Sequence, residues 1–304
     1  MDSTLFFNGL RPRLQAIAYR MLGAVAEAED LVQDVWLRWH AADPDELDNA
    51  EAWLVTVTTR LAIDRLRAAK VQREHYAGFW LPEPQLTAQD APASPQELLE
   101  RADDISMAFL ALLERLAPEA RAAFLLREVF DADYAEIAHA LGKSEAACRQ
   151  IVSRAKAQLK EGRVRQPVSA DTHYRLLSGF AQAARRGDFA ALQSLLAEDA
   201  ELIGDGGGKV ASFGKVLAGR GRIARLFYAT WRRGQRGDYK LTLELVRLNG
   251  EWGLLRFVDG MLESAQAFEC DGERITRIHV QRNPDKLQRL AQAWAVTRAG
   301  GGTS

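Results

Sequence analysis

Apolar residues recur at helical spacing through the first half of the chain and alternate at strand-like spacing through much of the second. In residues 28–39, AEDLVQDVWLRW, Leu31, Val32, Val35, Trp36 and Trp39 form one stripe, and Asp30, Gln33, Asp34 and Leu37 fall on the other side. The loop AADPDELDN follows, with Pro44 and turn-forming acids, and Asn49 is placed to cap the next helix. That helix, residues 50–70, is predicted to bury Leu54, Val57 and Leu61 and to expose Thr56, Arg60, Ile63, Arg67 and Lys70. Residues 73–104 read as a linker, because Pro82, Pro84, Pro92 and Pro95 break helices. Phe79, Trp80 and Leu81 nevertheless sit together inside it. A solvated tether has no use for three bulky apolar residues, so FWLPEP is predicted to dock on a neighbouring domain.

Residues 105–165 form a second helical segment that ends in the pattern Tyr134–Leu159. Ile137, Ala138 and Leu141 mark a short helix, Gly142 sits where the chain needs positive φ, and Ser144 can cap the helix that follows. Cys148, Ile151, Val152, Ala155 and Leu159 make that helix's buried stripe, with Arg149, Gln150, Ser153 and Arg154 opposite. This is a helix-turn-helix pattern, although ordinary bundles also contain two short helices joined at a glycine. After the joint at Gln166–Val168, residues 169–298 change character. Two helices flank Gly187-Asp188, and a helix is predicted over 221–233. Alternating segments AELI, GKVASFG, YKLTLELVRL, EWGLLRFV, MLESAQAFEC and RITRIHVQR suggest a curved antiparallel sheet. Asn249-Gly250 and Asp271-Gly272 read as hairpin turns. Asn283 and Pro284 start a last helix. The expected architecture is two all-α domains followed by an α+β domain.

Charge sharpens this picture because it is segregated. The formal net charge of the 304 residues is −1, yet residues 143–165 carry seven basic side chains against two acidic ones, a local net of +5. Residues 27–51 hold nine acids against Arg38 alone. Salt screens exposed charges beyond roughly 8–10 Å, so local charge governs contact with a polyanion. Lys143, Ser144, Arg149, Gln150, Ser153 and Arg154 are therefore candidate DNA contacts in the major groove. Thr56, Arg60, Ile63, Arg67 and Lys70 form a second candidate nucleic-acid face. Cys148 and Cys270 have no metal-ligand or disulfide pattern, so neither metal nor cofactor is expected. No run approaches the ~20 apolar residues that span a bilayer, which gives the expectation of a cytoplasmic protein with no membrane partner.

The segments AEAEDLVQDVWLRW, AWLVTVTTRLAIDRLR and YAEIAHALGKSEAACRQIVSRA together resemble an extracytoplasmic-function (ECF) sigma factor of bacterial RNA polymerase. Region 2 would cover residues 5–72 and region 4 residues 105–162. The C-terminal part resembles a SnoaL-like domain, an α+β cone related to nuclear transport factor 2. The segments Trp80-Leu81-Pro82-Glu83-Pro84, Asp205-Gly206-Gly207-Gly208-Lys209 and Asn283-Pro284-Asp285-Lys286-Leu287 match hallmarks of the sigma subgroup that carries this extension. The resemblance implies promoter recognition as a subunit of core RNA polymerase. Asp30, Gln33, Asp34 and Leu37 would meet the β′ clamp helices, region 4 would meet the β flap and the −35 element, and the basic helix would serve the −10 element. It further implies regulation in cis by the fused domain, with no separate anti-sigma protein. Arg60 departs from the Asn common at its position in the family, so the −10 sequence is not inherited from other groups.

A second reading is a SnoaL-type isomerase or cyclase, or a ligand sensor, carrying a DNA-binding module. Only His173 and His279, with Asp205, Asp259 and Glu263, offer acid–base groups. A strand histidine with satisfied partners explains His279 more simply, and the chain is expected not to be an enzyme. An unidentified small-molecule ligand in the C-terminal domain is compatible with the pattern, with Trp231, Phe257 and Phe268 as candidate lining. The glycine run at 206–208 lacks the spacing of a phosphate loop.

Overall fold

The computed structural model describes residues 2–42, 47–73, 76, 78–87, 106–162 and 168–300, without the side chains of 70–73, 161, 162 and 300. Pro44, Pro92 and Pro95, the side chain of Lys70, and the expected boundaries at 104/105 and 165 lie outside the described residues. These residues form two compact units. One comprises the chain up to residue 73 together with 110–162; the other comprises 76–87, 106–109 and 168–300.

The first unit is all helical: α1 (Ser3–Leu22), α2 (Val25–Ala41), α3 (Ala50–Arg73), the end of α4 (Met107–Leu113), α5 (Pro118–Glu128), α6 (Tyr134–Leu141) and α7 (Glu145–Gly162). Asp2 caps α1 by accepting from the Thr4 and Leu5 amides, and Gly23 closes it at φ 71°. Leu31, Val32, Val35 and Trp39 of α2 are buried as their spacing predicts, and Trp39 donates to the Ser3 carbonyl at 2.9 Å. Arg121, only 2% exposed, ties α5 to α1. Its guanidinium donates to the Met21 carbonyl (2.6 Å), the Leu113 carbonyl (3.0 Å) and Glu114 (2.7 Å). A buried guanidinium is tolerated only when its donors are matched in this way.

The second unit contains α8 (Ala170–Arg186), α9 (Phe189–Leu195), α10 (Arg220–Gln235) and α11 (Pro284–Gly300), with a six-stranded sheet in the order β2-β1-β6-β5-β4-β3. The strands are β1 (Leu196–Asp205), β2 (Leu217–Ala218), β3 (Leu241–Leu248), β4 (Glu251–Val258), β5 (Met261–Cys270) and β6 (Ile275–Gln281). The sheet is mixed, not antiparallel as expected, because β1 runs parallel to β6. The segment GKVASFG is not a strand; β2 lies just beyond it at 217–218. Hairpins turn at Asn249-Gly250 and also at Asp259-Gly260, where all four residues have positive φ.

One sheet face packs against α8, α9 and α10 around Phe180, which meets Phe227 and Phe268 edge-on at centroid distances of 4.9 and 5.4 Å. The opposite face, through Val246, Leu255, Phe257 and Ala265, takes Leu287 and Leu290 of α11. Phe180 is fully buried between elements distant in sequence. Phe180→Ala is therefore expected to lower unfolding stability by about 3–5 kcal/mol, read as a reduced denaturant midpoint of the second unit.

Candidate promoter-binding faces and the interdomain segment

The helix-turn-helix matches its pattern. Asp133 caps α6 and forms a reciprocal capping box with Glu136. Gly142 adopts φ 62°, and the Ser144 hydroxyl accepts from the Ala147 amide at 3.3 Å. Cys148, Val152, Ala155 and Leu159 are buried, while Lys143, Ser144, Arg149, Gln150, Ser153 and Arg154 face solvent. Arg149 pairs with Glu145 at 2.7 Å and lies over the Tyr134 ring, which orients its guanidinium along the exposed face. Burial pushes the Cys148 thiol above its ordinary range, consistent with a core residue.

The α3 face differs from its prediction. Thr56 and Ile63 are buried at 6% and 5% exposure, not solvent-facing, whereas Val57 and Leu61 are only half-buried. The reason is packing within the first unit: α6 lies against α3, and Val55 joins the core of the helix-turn-helix. Arg60 is engaged there as well, donating to the His139 and Ala140 carbonyls at 2.8 and 2.9 Å. A guanidinium suits that place because the last carbonyls of a helix lack intrahelical partners and carry partial negative charge. Arg67 pairs with Asp64 and with Glu119, and Lys143 also reaches Glu119 at 3.1 Å. The Lys143 hydrogen bond, reinforced by Arg67, holds the Glu119 carboxyl below its usual range against a modest desolvation cost. Two candidate phosphate contacts thus share one acid.

On α2, Asp30, Gln33 and Leu37 are exposed and Asp34 is half-exposed, pairing with Arg65 at 2.5 Å. Leu37 lies among them 60% exposed, a large apolar side chain left to solvent.

The described part of the segment read as a linker belongs to the second unit, where it surrounds one carboxylate. Asp205 is fully buried. Its Oδ1 accepts from the Tyr76 hydroxyl (2.6 Å) and the Gly207 amide (2.9 Å). Its Oδ2 accepts from the Leu81 amide (2.9 Å), Gln281 Nε2 (3.2 Å) and Lys286 Nζ (2.8 Å). Lys286 also donates to the Leu81 carbonyl at 2.6 Å, and its ammonium lies 4.0 Å from the centre of the Trp80 ring. Gln281 donates to the Leu81 and Pro82 carbonyls, and Asn283 donates to the Tyr76 hydroxyl. Leu81, Pro82, Glu83 and Pro84 are all buried. The three glycines admit this geometry. A Cβ at Gly207, φ 64°, would fall 2.4 Å from Asn283, and one at Gly206 would fall 2.3 Å from the Val210 carbonyl oxygen. Lys209 pairs with Asp285 at the rim, at 2.6 Å, and Pro284 opens α11, whose Leu287 enters the core.

Downstream, the segment lies along β3, an edge of the sheet. Gln85 and Asn249 exchange hydrogen bonds, the Thr87 amide donates to the Arg247 carbonyl at 3.0 Å, and Leu86 bridges Leu248. Nothing local in the sequence marks Tyr76 or Gln281, and Asn249 reads there as turn chemistry alone.

The acid–base candidates are distributed elsewhere. His173 is buried and donates to the Phe268 carbonyl at 3.0 Å; burial lowers its pKa. His279 lies 2.7 Å from Glu269, whose carboxyl is raised by burial but lowered overall by His279 and Arg277. Trp231 covers Gly187, Phe257 lies tilted beside Trp294 and lines a small cavity with it, and Phe268 lies in the core on the other sheet face, so the three do not gather at one site. Among the described residues, no group of three or more His, Cys, Asp or Glu is placed to hold a metal ion. No helix among them is long and apolar enough to cross a membrane.

Asp205→Ala removes five hydrogen-bond acceptances and the carboxylate paired with Lys286. A loss of about 3–5 kcal/mol is expected, as for a broken buried pair. Thermal unfolding of the full chain measures it; an unchanged midpoint would contradict the geometry described.

A family model for Sigma-70 region 2 matches residues 6–71, and one for Sigma-70, region 4 matches residues 106–159. The chain is 37% identical over 296 residues to the ECF RNA polymerase sigma factor SigJ of Mycobacterium tuberculosis (strain ATCC 25618 / H37Rv), covering 92% of each. It is 29% identical over 286 residues to the probable ECF RNA polymerase sigma factor SigI of Mycobacterium tuberculosis (strain CDC 1551 / Oshkosh), covering 92% of this chain and 93% of that one. A crystal structure of the Mycobacterium tuberculosis extracytoplasmic function sigma factor SigJ superimposes with a TM-score of 0.74 at 33% identity, covering 94% of this chain and 98% of that chain.

Proposed function

We propose that this chain, which belongs to the ECF RNA polymerase sigma factors, is regulated in cis by its C-terminal domain, which clasps the segment joining the two sigma regions. The buried Asp205–Lys286 pair carries this reading, because it closes on the backbone of Leu81 and the ring of Trp80. A tether pinned at residues 80–87 restricts how far the two sigma regions can separate. Intramolecular contact of this kind acts at an effective concentration on the order of mM, so modest intrinsic affinity suffices. The fused domain then takes the regulatory part that needs no separate anti-sigma protein, and the chain acts by binding rather than catalysis.

In this proposal Asp30, Gln33, Asp34 and Leu37 dock on the β′ clamp helices of core polymerase, and region 4 meets the β flap. Lys143, Ser144, Arg149, Gln150, Ser153 and Arg154 enter the −35 major groove. The −10 element is served by Thr56, Arg60, Ile63, Arg67 and Lys70. Burial of Thr56 and Ile63 and the Arg60 bonds to α6 support a closed free form, in which region 4 must leave α3 before that face can meet DNA. Polymerase docking would supply the free energy for opening, since a ligand shifts an equilibrium by its differential affinity for the two states.

Two tests follow. Run-off transcription with core polymerase and full-length protein should change for Trp80→Ala at equal protein level; unchanged output together with unchanged core binding refutes the clasp. Arg154→Ala should weaken −35 use by about 1–3 kcal/mol if it reads a base bidentately. Leu37→Arg should reduce assembly with core polymerase in a pull-down while leaving the helical content intact; wild-type assembly would rule out that docking face.

A further inference from the structure

The C-terminal domain holds a cavity of about 400 Å³ that promoter binding does not use. Leu202, Leu226, Phe227, Val258 and Val280 give it apolar walls. Its polar part is built around Glu263, which lies between two guanidiniums. Arg256 Nε donates to Glu263 Oε2 at 2.7 Å, and Arg282 pairs with the other oxygen. Two cations sharing one carboxylate leave one positive charge.

The same cavity gathers most of the domain's unmet hydrogen-bonding capacity. Ser212 Oγ, Gln266 Oε1 and Arg282 Nε are buried, belong to residues that line it and have no hydrogen-bond partner. Among the described residues, only Thr59 Oγ1 and His279 Nδ1 share that condition elsewhere. Gln266 is 1% exposed, and its amide nitrogen makes only a 3.3 Å bond to Ser264. Buried polar groups are normally paired, so a concentration of exceptions on one apolar-walled cavity marks a ligand site. The histidines weighed for catalysis are not in its lining.

We propose that this cavity binds a small organic acid with an apolar body and one hydrogen-bond donor. The carboxylate takes the Arg282 Nε–H and the Ser212 hydroxyl, the apolar body lies against Phe227 and Val280, and the donor serves Gln266 Oε1. A carboxylate suits the site because its unpartnered cationic donor favours an anionic acceptor. The site also adjoins the clasp. Gly204 and Arg282 line the cavity, while their chain neighbours Asp205, Gln281 and Asn283 hold the Tyr76–Pro82 segment. The Arg282 amide donates to the Asp205 carbonyl at 2.7 Å, joining the two strand ends. Occupancy therefore favours the closed clasp, a coupling that rests on the regulatory reading given above.

The test is ligand-observed NMR on the full chain with 4-hydroxyphenylacetate, 4-hydroxybenzoate and 3-hydroxyoctanoate, each against its neutral amide. The acids are expected to bind about tenfold or more tighter than the amides, the difference a charge-assisted bond supplies. Arg282→Gln should remove that preference, and Gln266→Leu, which keeps the volume and all charges, should weaken every acid. Equal binding of acid and amide, no binding of any acid at about 1 mM, or full binding by Arg282→Gln would overturn the site. Run-off transcription with a bound acid is the separate arm. A fall in output supports the coupling. Unchanged output with intact binding overturns the coupling and leaves the ligand site standing, since binding is measured without polymerase.

Discussion

A fully buried carboxylate is costly unless every lone pair is answered, and Asp205 is answered by five donors drawn from three stretches of chain. Two of those donors, the Tyr76 hydroxyl and the Leu81 amide, come from the segment preceding the second helical region. The sheet and the last helix supply two of the five, Gln281 and Lys286, and the Gly207 amide a third. That requirement explains why a proline-rich, aromatic stretch is ordered against the sheet. It also explains the glycines beside Asp205: the chain must pass within contact of Asn283 and Val210, where a side chain would collide. Lys286 supplies the countercharge and simultaneously caps the Trp80 ring, so charge, aromatic contact and backbone pairing depend on the same two side chains.

The edge strand β3 gives the segment a second anchor. Exposed strand edges invite pairing, and residues 85–87 occupy that edge with backbone bonds to Arg247 and Asn249. In the helical unit the corresponding device is Arg121, whose buried guanidinium joins α5 to the end of α1, together with Arg60 on the end of α6. Both arginines spend their donors on helix-terminal carbonyls. The helical unit thus meets helix-end carbonyls with guanidiniums from other helices.

The parts that could be read from sequence are those fixed by local chemistry. Gly142 and Ser144 punctuate the helix-turn-helix, Asn249-Gly250 turns a hairpin, and Asn283-Pro284 opens the last helix because each answers a need within a few residues. The family hallmarks drew attention to Trp80, Asp205 and Lys286, although nothing in their spacing brings them together. Non-local pairing escaped prediction. The parallel partnership of β1 and β6 joins segments about seventy residues apart, and no periodicity encodes it. Periodicity also misassigned α3, where Thr56 and Ile63 lie on a stripe that solvent would tolerate but α6 and its neighbours bury. Nothing in the sequence marks Arg121 as buried, because its burial depends on a carbonyl a hundred residues away.

The most direct measurement is residue-resolved amide hydrogen exchange on the free, full-length protein. The amides of Leu81, Gln85 and Thr87 donate to Asp205, Asn249 and Arg247 respectively, while Pro82 and Pro84 have none to exchange. If the segment is clasped, these three amides exchange as slowly as those of the neighbouring β3–β4 pair. Exchange at the rate of an unstructured peptide, with β3 and β4 still protected, would show that the tether is free and that the fused domain does not hold it.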